Sequence, residues 1–189
     1  MATVGFVSVL TEEECLKHNF VQFYRASAYG NLAMMFPMID SEEEMDEIWQ
    51  IIEEVKEGLR EKNIPFKEIM TGIMIETPAA VMISDELAEM VDFFSIGTND
   101  LTQYTHAVDR DISIAERYYR PASHAMKKLI RMVVEAAREG GIPRDHLRQC
   151  GGQSGQHPAI FGSWACGVSR SARQNLIEVK KALMNARIK

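Results

Sequence analysis

The sequence predicts an α/β fold in which parallel strands are joined by crossover helices. Short apolar runs, GFVSVL (5–10), LAMMFPMI (32–39), TGIMIE (71–76) and VDFFSI (91–96), alternate with longer segments whose apolar residues recur every three or four positions. Polar residues gather where such runs end: Glu76 after GIMI, Asn99 and Asp100 after FFSIGT, and Cys150 ahead of a glycine pair.

The first run reads as a strand, followed by a helix over EEECLKHNFVQFYRAS (12–27) with Leu16, Phe20 and Phe23 on one face. The run 32–39 is the next strand, and Met34, Met35 and Met38 read as core, because an unbranched thioether fills irregular gaps. The clearest helix is SEEEMDEIWQIIEEVKEGLREKN (41–63), where Met45, Ile48, Ile52, Val55 and Leu59 form one stripe. Ser41 and Glu44 have capping-box spacing, and the acidic first turn suits the helix dipole. After the strand 71–76, Thr77 and Pro78 supply an N-cap and a first-turn proline for a helix lined by Ala80, Ile83, Leu87 and Met90. The strand 91–96 follows. A further helix, 123–141, carries Met126, Ile130, Val133 and Ala137 inward and stops at Gly140 and Gly141. IPRDHLRQC then stands where a strand belongs despite its proline and charges, GSWACGVS is a weaker strand candidate, and ARQNLIEVKKALMNARIK has helical periodicity.

A length of 189 residues suits a single domain spanning 1–189, able to bury about 70 % of the surface its unfolded chain exposes. The 21 basic and 27 acidic residues give a net charge of −6, and no Lys/Arg cluster is dense enough for a nucleic-acid surface. Cys15, Cys150 and Cys166 are odd in number and lack CxxC spacing, so neither a disulfide framework nor a zinc site is expected and a reducing cytoplasm fits. No apolar run reaches the roughly 18 residues of a membrane span, and no basic region precedes an apolar leader. Neither membrane insertion nor secretion is expected.

In a parallel β/α architecture the carboxyl ends of all strands meet on one face, where residues distant in sequence converge. Glu76 and Asp100, one β-α-β unit apart, are therefore candidates to lie side by side. Adjacent carboxylates resist joint ionisation unless a cation sits between them, and Mg²⁺ suits such a pair, since it takes one or two carboxylates and keeps several waters. The bland reading is that Glu76 caps the following helix and Asp100 begins the next, both solvated. Arg110 in AVDRD could hold a phosphate or carboxylate with its fork of donors, or pair with Asp109 or Asp111. Cys150 is a candidate general acid or nucleophile, or else a small buried hydrophobe. The histidines His18, His106, His124, His146 and His157 have no metal-ligand spacing.

Four motifs together, RASAYGNLAMMFPMI, EEVKEGLREKNIPF, GIMIETPAA and VDFFSIGTNDLTQYTHAVDRD, strongly resemble the C-terminal phosphoenolpyruvate-binding domain of enzyme I. Enzyme I is the phosphoenolpyruvate-protein phosphotransferase of the bacterial sugar phosphotransferase system. The resemblance runs from about Gly5 to Gly151 and is most specific over 25–110. It implies a (β/α)8-type barrel, here incomplete with about six β/α units, that works as a dimer and binds phosphoenolpyruvate with Mg²⁺ at its strand ends. By that resemblance Glu76 and Asp100 correspond to magnesium ligands, Asn99 and Arg110 to phosphate contacts, and Cys150 to the acid that protonates pyruvate enolate. A free thiol, with a pKa of about 8.5, is protonated at neutral pH and can donate to carbon.

The chain also departs from that family. No segment resembles the phosphohistidine domain or the docking site for the carrier protein, so both are expected to be supplied elsewhere. Set against the family barrel, its first two strands and their substrate-binding arginines are not expected in this sequence, Val7 stands where a further arginine belongs, and Gly152 and Gln156 stand where the family has acidic residues after Cys150. These losses predict weakened substrate binding and an assembly that closes by pairing with another copy or segment. Two other readings follow: a divalent-metal pyruvate aldolase or lyase, suggested by MIETP and the later IGTNDL, and a non-catalytic dimerising or regulatory remnant.

Overall fold

The computed structural model describes residues 13–30, 32–109 and 117–143, together with the backbone of the strands at 147–150 and 167–169. Five parallel strands form one sheet in the order β1-β2-β3-β4-β5, namely Ala33–Phe36, Met70–Ile75, Phe93–Gly97, Leu147–Cys150 and Gly167–Ser169. Each strand pairs with its predecessor in sequence. The helices are α1 (Glu13–Ser27), α2 (Glu42–Glu61), α3 (Pro78–Met82), α4 (Ser84–Met90), α5 (Thr98–His106) and α6 (His124–Glu139). This is the α/β class with a partial parallel sheet. The expected strand 5–10 and helix 172–189 lie outside the described residues.

Strand alternation decides which side chains are covered. The register aligns Phe36 with Ile73, Ile73 with Phe94, and Ile75 with Ile96, so all five positions share the helix-covered face. There they join Met45, Ile48, Ile52, Leu87, Met126 and Ile130 in one core. Each such side chain taken wholly out of water contributes about 1.5–3 kcal/mol. On the opposite face Phe93 lies across Gly72, where an added Cβ would sit 2.5 Å from the ring. Met35 shares that face, aligned with Gly72. It is therefore 37 % exposed rather than core, while Met34 beside it is buried.

Helix α2 follows its expected stripe. Ser41 is the N-cap and accepts the Glu44 N–H at 3.3 Å, whereas the Glu44 carboxylate turns back one residue further than a capping box requires, to the Asp40 N–H at 3.0 Å. In α1 the buried apolar positions are Leu16, Phe20 and Tyr24, and Phe23 is 44 % exposed. The i, i+4, i+8 row won over Phe23 because Tyr24 packs edge-on against Phe66 while its ring faces the Lys56 ammonium. The single helix expected after Thr77 is two. Thr77 caps the first by accepting the Ala80 N–H at 3.0 Å, and Ile83, at φ −113° and ψ 25°, breaks the helical path before Ser84. In α6 Met126, Ile130, Val133 and Ala137 are all buried, and the chain leaves through Gly141 at φ 80°, a conformation that favours glycine.

Candidate functional site at the carboxyl ends of the strands

Asp92 sets the level of β3 against β2. Its backbone N–H donates to the Thr71 carbonyl and its carboxylate accepts the Thr71 N–H, both at 2.7 Å. From that staple the two strands run in register to Ile75 beside Ile96, so that Glu76 emerges next to Gly97. Glu76 is only 3 % exposed. A buried carboxylate is costly unless it is bonded, and Oε1 accepts the backbone N–H of Met38 at 2.9 Å. Met38 lies two residues past the end of β1 and holds a left-handed φ of 58°, which methionine rarely adopts. Strained backbone of this kind is kept where the surroundings demand it, and here it accompanies the N–H bond to the acid.

Gly97 makes room on the other side. A Cβ there would lie 2.6 Å from Glu76 Oε2, 2.7 Å from Glu76 Cβ and 3.0 Å from Met74 Sδ. The Glu76 carboxyl group thus rests between the ends of β1 and β3. Helix α5 begins on the next residue, Thr98, and carries Asn99 and Asp100 in its first turn, both half-buried. Oδ1 of Asn99 accepts the Tyr119 hydroxyl at 3.3 Å. Within α5, Thr102 Oγ1 donates to the Thr98 carbonyl at 2.6 Å, and at its far end His106 Nε2 lies 2.9 Å from Oγ of Ser123, the N-cap of α6.

The register of β3 and β4 aligns Cys150 with Gly97, which brings the backbone of Cys150 to the same end of the sheet as Glu76. Asp100 stands three residues beyond Gly97, at that end too. Of the expected site residues, Glu76, Asn99, Asp100 and Cys150 therefore share one face, and Arg110 lies outside the described residues. Sequence reasoning missed three contributors. Gly97 was visible only as a glycine before a polar turn, Met38 acts through its backbone, and Tyr119 carries no motif. Among the described residues no three His, Cys, Asp or Glu side chains gather into a closed metal cage. None of the described helices is long and apolar enough to cross a membrane.

A parallel sheet with carboxylate and amide side chains beyond its carboxyl ends is the arrangement in which α/β folds place their ligand sites. The chain belongs to the family described as PEP-utilising enzyme, PEP-binding domain, which matches residues 4–187. It is 45% identical over 133 residues to a phosphoenolpyruvate-protein phosphotransferase of Buchnera aphidicola subsp. Baizongia pistaciae, covering 70% of this chain and 23% of that relative. It is 41% identical over 152 residues to the protein of that name from Bacillus subtilis, covering 80% of this chain and 26% of the relative. The chain thus spans about a quarter of the length of these relatives. Among solved structures, a citrate lyase from Burkholderia xenovorans superposes with a TM-score of 0.61 at 14% identity, over 88% of this chain and 53% of the other. That likeness concerns the fold alone.

Proposed function

We propose that this chain is the phosphoenolpyruvate-binding domain of a phosphoenolpyruvate-protein phosphotransferase, a single unit built as an incomplete (β/α)8-type barrel and working in the cytoplasm. The observation that carries the reading is the buried Glu76 carboxylate, fixed by the Met38 N–H against Gly97 in a chain of the PEP-binding family. Glu76 and Asp100 would hold Mg²⁺. Two carboxylates at one strand end fit that ion, which completes its shell with water and substrate oxygens, better than they fit zinc. When bound, the ion supplies positive charge that offsets the anionic phosphoryl and enolate oxygens.

The protein's own groups do the rest. Asn99 donates an N–H to a phosphoryl oxygen, and Arg110 adds a guanidinium fork. The bond from phosphorus to the enol oxygen breaks as one forms to an imidazole nitrogen of a histidine that a domain outside this chain supplies. The enolate left behind takes a proton at carbon 3 from the Cys150 thiol and becomes pyruvate, and solvent returns the proton to sulfur. Pairing with a second copy belongs to the same reading, because the resemblance to enzyme I implies a dimer. Sedimentation of a single monomer at every concentration would remove that part of the reading.

Calorimetric titration with phosphoenolpyruvate, with and without Mg²⁺, tests the site. Binding that requires the metal and disappears in Glu76→Ala and Asp100→Ala is the expected result. Metal-independent binding in all three proteins, or retro-aldol cleavage of a 2-keto acid, overturns it.

A further inference from the structure

The segment before α6 straps α5 at both of its ends. Ser123 meets His106 at the carboxyl end of α5, and Tyr119 reaches Asn99 in the first turn. The strap is itself closed by the Ser123 N–H donating to the Arg120 carbonyl at 3.1 Å. Tyr119 is half-buried, and the hydroxyl at the tip of its ring is what touches the candidate site.

We propose that Tyr119 is a positioning residue that turns the donor side of the Asn99 carboxamide toward the phosphoryl group of the substrate. The inference rests on the reading of Asn99 given above. A carboxamide has an oxygen that only accepts and an NH₂ that only donates, and phosphoryl oxygens only accept. One rotamer of Asn99 therefore attracts the substrate and its flipped form repels it. A phenol donates more readily than it accepts, so the Tyr119 O–H claims the carboxamide oxygen and directs the NH₂ away from itself. The bond is long at 3.3 Å, as expected of a site that tightens when its anion arrives. Nothing in the sequence links the two residues, which stand 20 positions apart.

The test compares phosphoenolpyruvate with pyruvate, which lacks the phosphoryl group, as ligands of the whole chain in the presence of Mg²⁺. Tyr119→Phe keeps the ring and removes the donor, so it should weaken phosphoenolpyruvate about tenfold while changing pyruvate by less than about twofold. Asn99→Asp keeps an acceptor for Tyr119 but has no donors, and should abolish phosphoenolpyruvate binding. In the ligand-free chain the Asn99 NH₂ proton resonances should move in Tyr119→Phe. Unchanged phosphoenolpyruvate affinity in Tyr119→Phe, with Asn99→Asp still inactive, would overturn the positioning role and leave the assignment of Asn99 intact. Equal weakening of both ligands would reduce Tyr119 to a packing residue. A wild-type chain that binds neither ligand removes the site reading and this inference with it.

Discussion

The backbone N–H of Met38 donates to the Glu76 carboxylate at 2.9 Å, joining residues 38 positions apart at the ends of two neighbouring strands. The bond gives Glu76 a structural duty besides its proposed metal duty, and the two can be separated. Glu76→Gln keeps a carbonyl oxygen for Met38 and loses the charge, so thermal stability should stay close to wild type while Mg²⁺-dependent phosphoenolpyruvate binding disappears. Glu76→Ala leaves the Met38 N–H without that acceptor, and chemical denaturation should show a loss of about 1–3 kcal/mol. If Gln binds phosphoenolpyruvate with undiminished metal dependence, the carboxylate is not a ligand.

Gly97→Ala probes the same group from the other side. Gly97 has φ −81°, which alanine adopts freely, so backbone strain plays no part. The methyl group instead meets Glu76 Oε2 at 2.6 Å and Met74 Sδ at 3.0 Å. The sulfur can swing aside, but the carboxylate is tied to Met38. Overpacking of this kind destabilises by about 1–3 kcal/mol, and the displaced carboxylate should lose its metal-dependent ligand. Wild-type affinity and stability in Gly97→Ala would mean that Glu76 is not held where the structure shows it.

Much of this was legible in the sequence, for physical reasons. The α2 stripe of Met45, Ile48, Ile52, Val55 and Leu59 is buried as its periodicity required, because a long amphipathic helix has only one way to cover its apolar face. The strand-end positions of Glu76, Asn99 and Cys150 followed from parallel topology, which sends every strand tip to one face. What stayed hidden depends on contacts between segments. No local pattern shows that Met38 turns left-handed, that Gly97 leaves space for a carboxyl group, or that Tyr119 meets Asn99. Face assignment failed at Phe23 for a related reason: spacing alone could not rank it against Tyr24, whose ring has Phe66 and Lys56 to meet.

That last difference is measurable. Phe23 is 44 % exposed and should tolerate replacement by serine within about 0.5 kcal/mol, the usual range for surface positions. Tyr24 is 1 % exposed, and Tyr24→Ala should lose about 3–5 kcal/mol, as truncation of a buried aromatic ring does. Urea denaturation of the two variants decides it, and comparable losses in both would place the buried face of α1 elsewhere.

Tyr24 also sits under Lys56, and the pair predicts how stability falls at high pH. Lys56 is buried at 7 % exposure, with Glu68 at 2.8 Å, Glu53 at 3.0 Å and the Tyr24 ring centroid at 5.5 Å. Burial works against its charge, yet the hydrogen bonds to Glu68 and Glu53 prevail and hold its pKa above the ordinary 10.5. Burial likewise lifts the Tyr24 phenol above 10.0, with the Lys56 charge only partly opposing it. Both groups keep their protons longer in the folded chain than in the unfolded one. Their contribution is therefore complete below about pH 10 and is lost as pH rises through the folded values. Half-exposed Lys17, raised by its bonds to Glu13 and Glu54, acts in the same direction, but salt screens it. Thermal melts at high salt should thus be level from neutral pH to about 9 and then fall, with a shallower fall in Lys56→Met, since Glu53 and Glu68 remain exposed enough to be solvated without it. An alkaline slope equal in Lys56→Met and wild type would assign the loss to other groups.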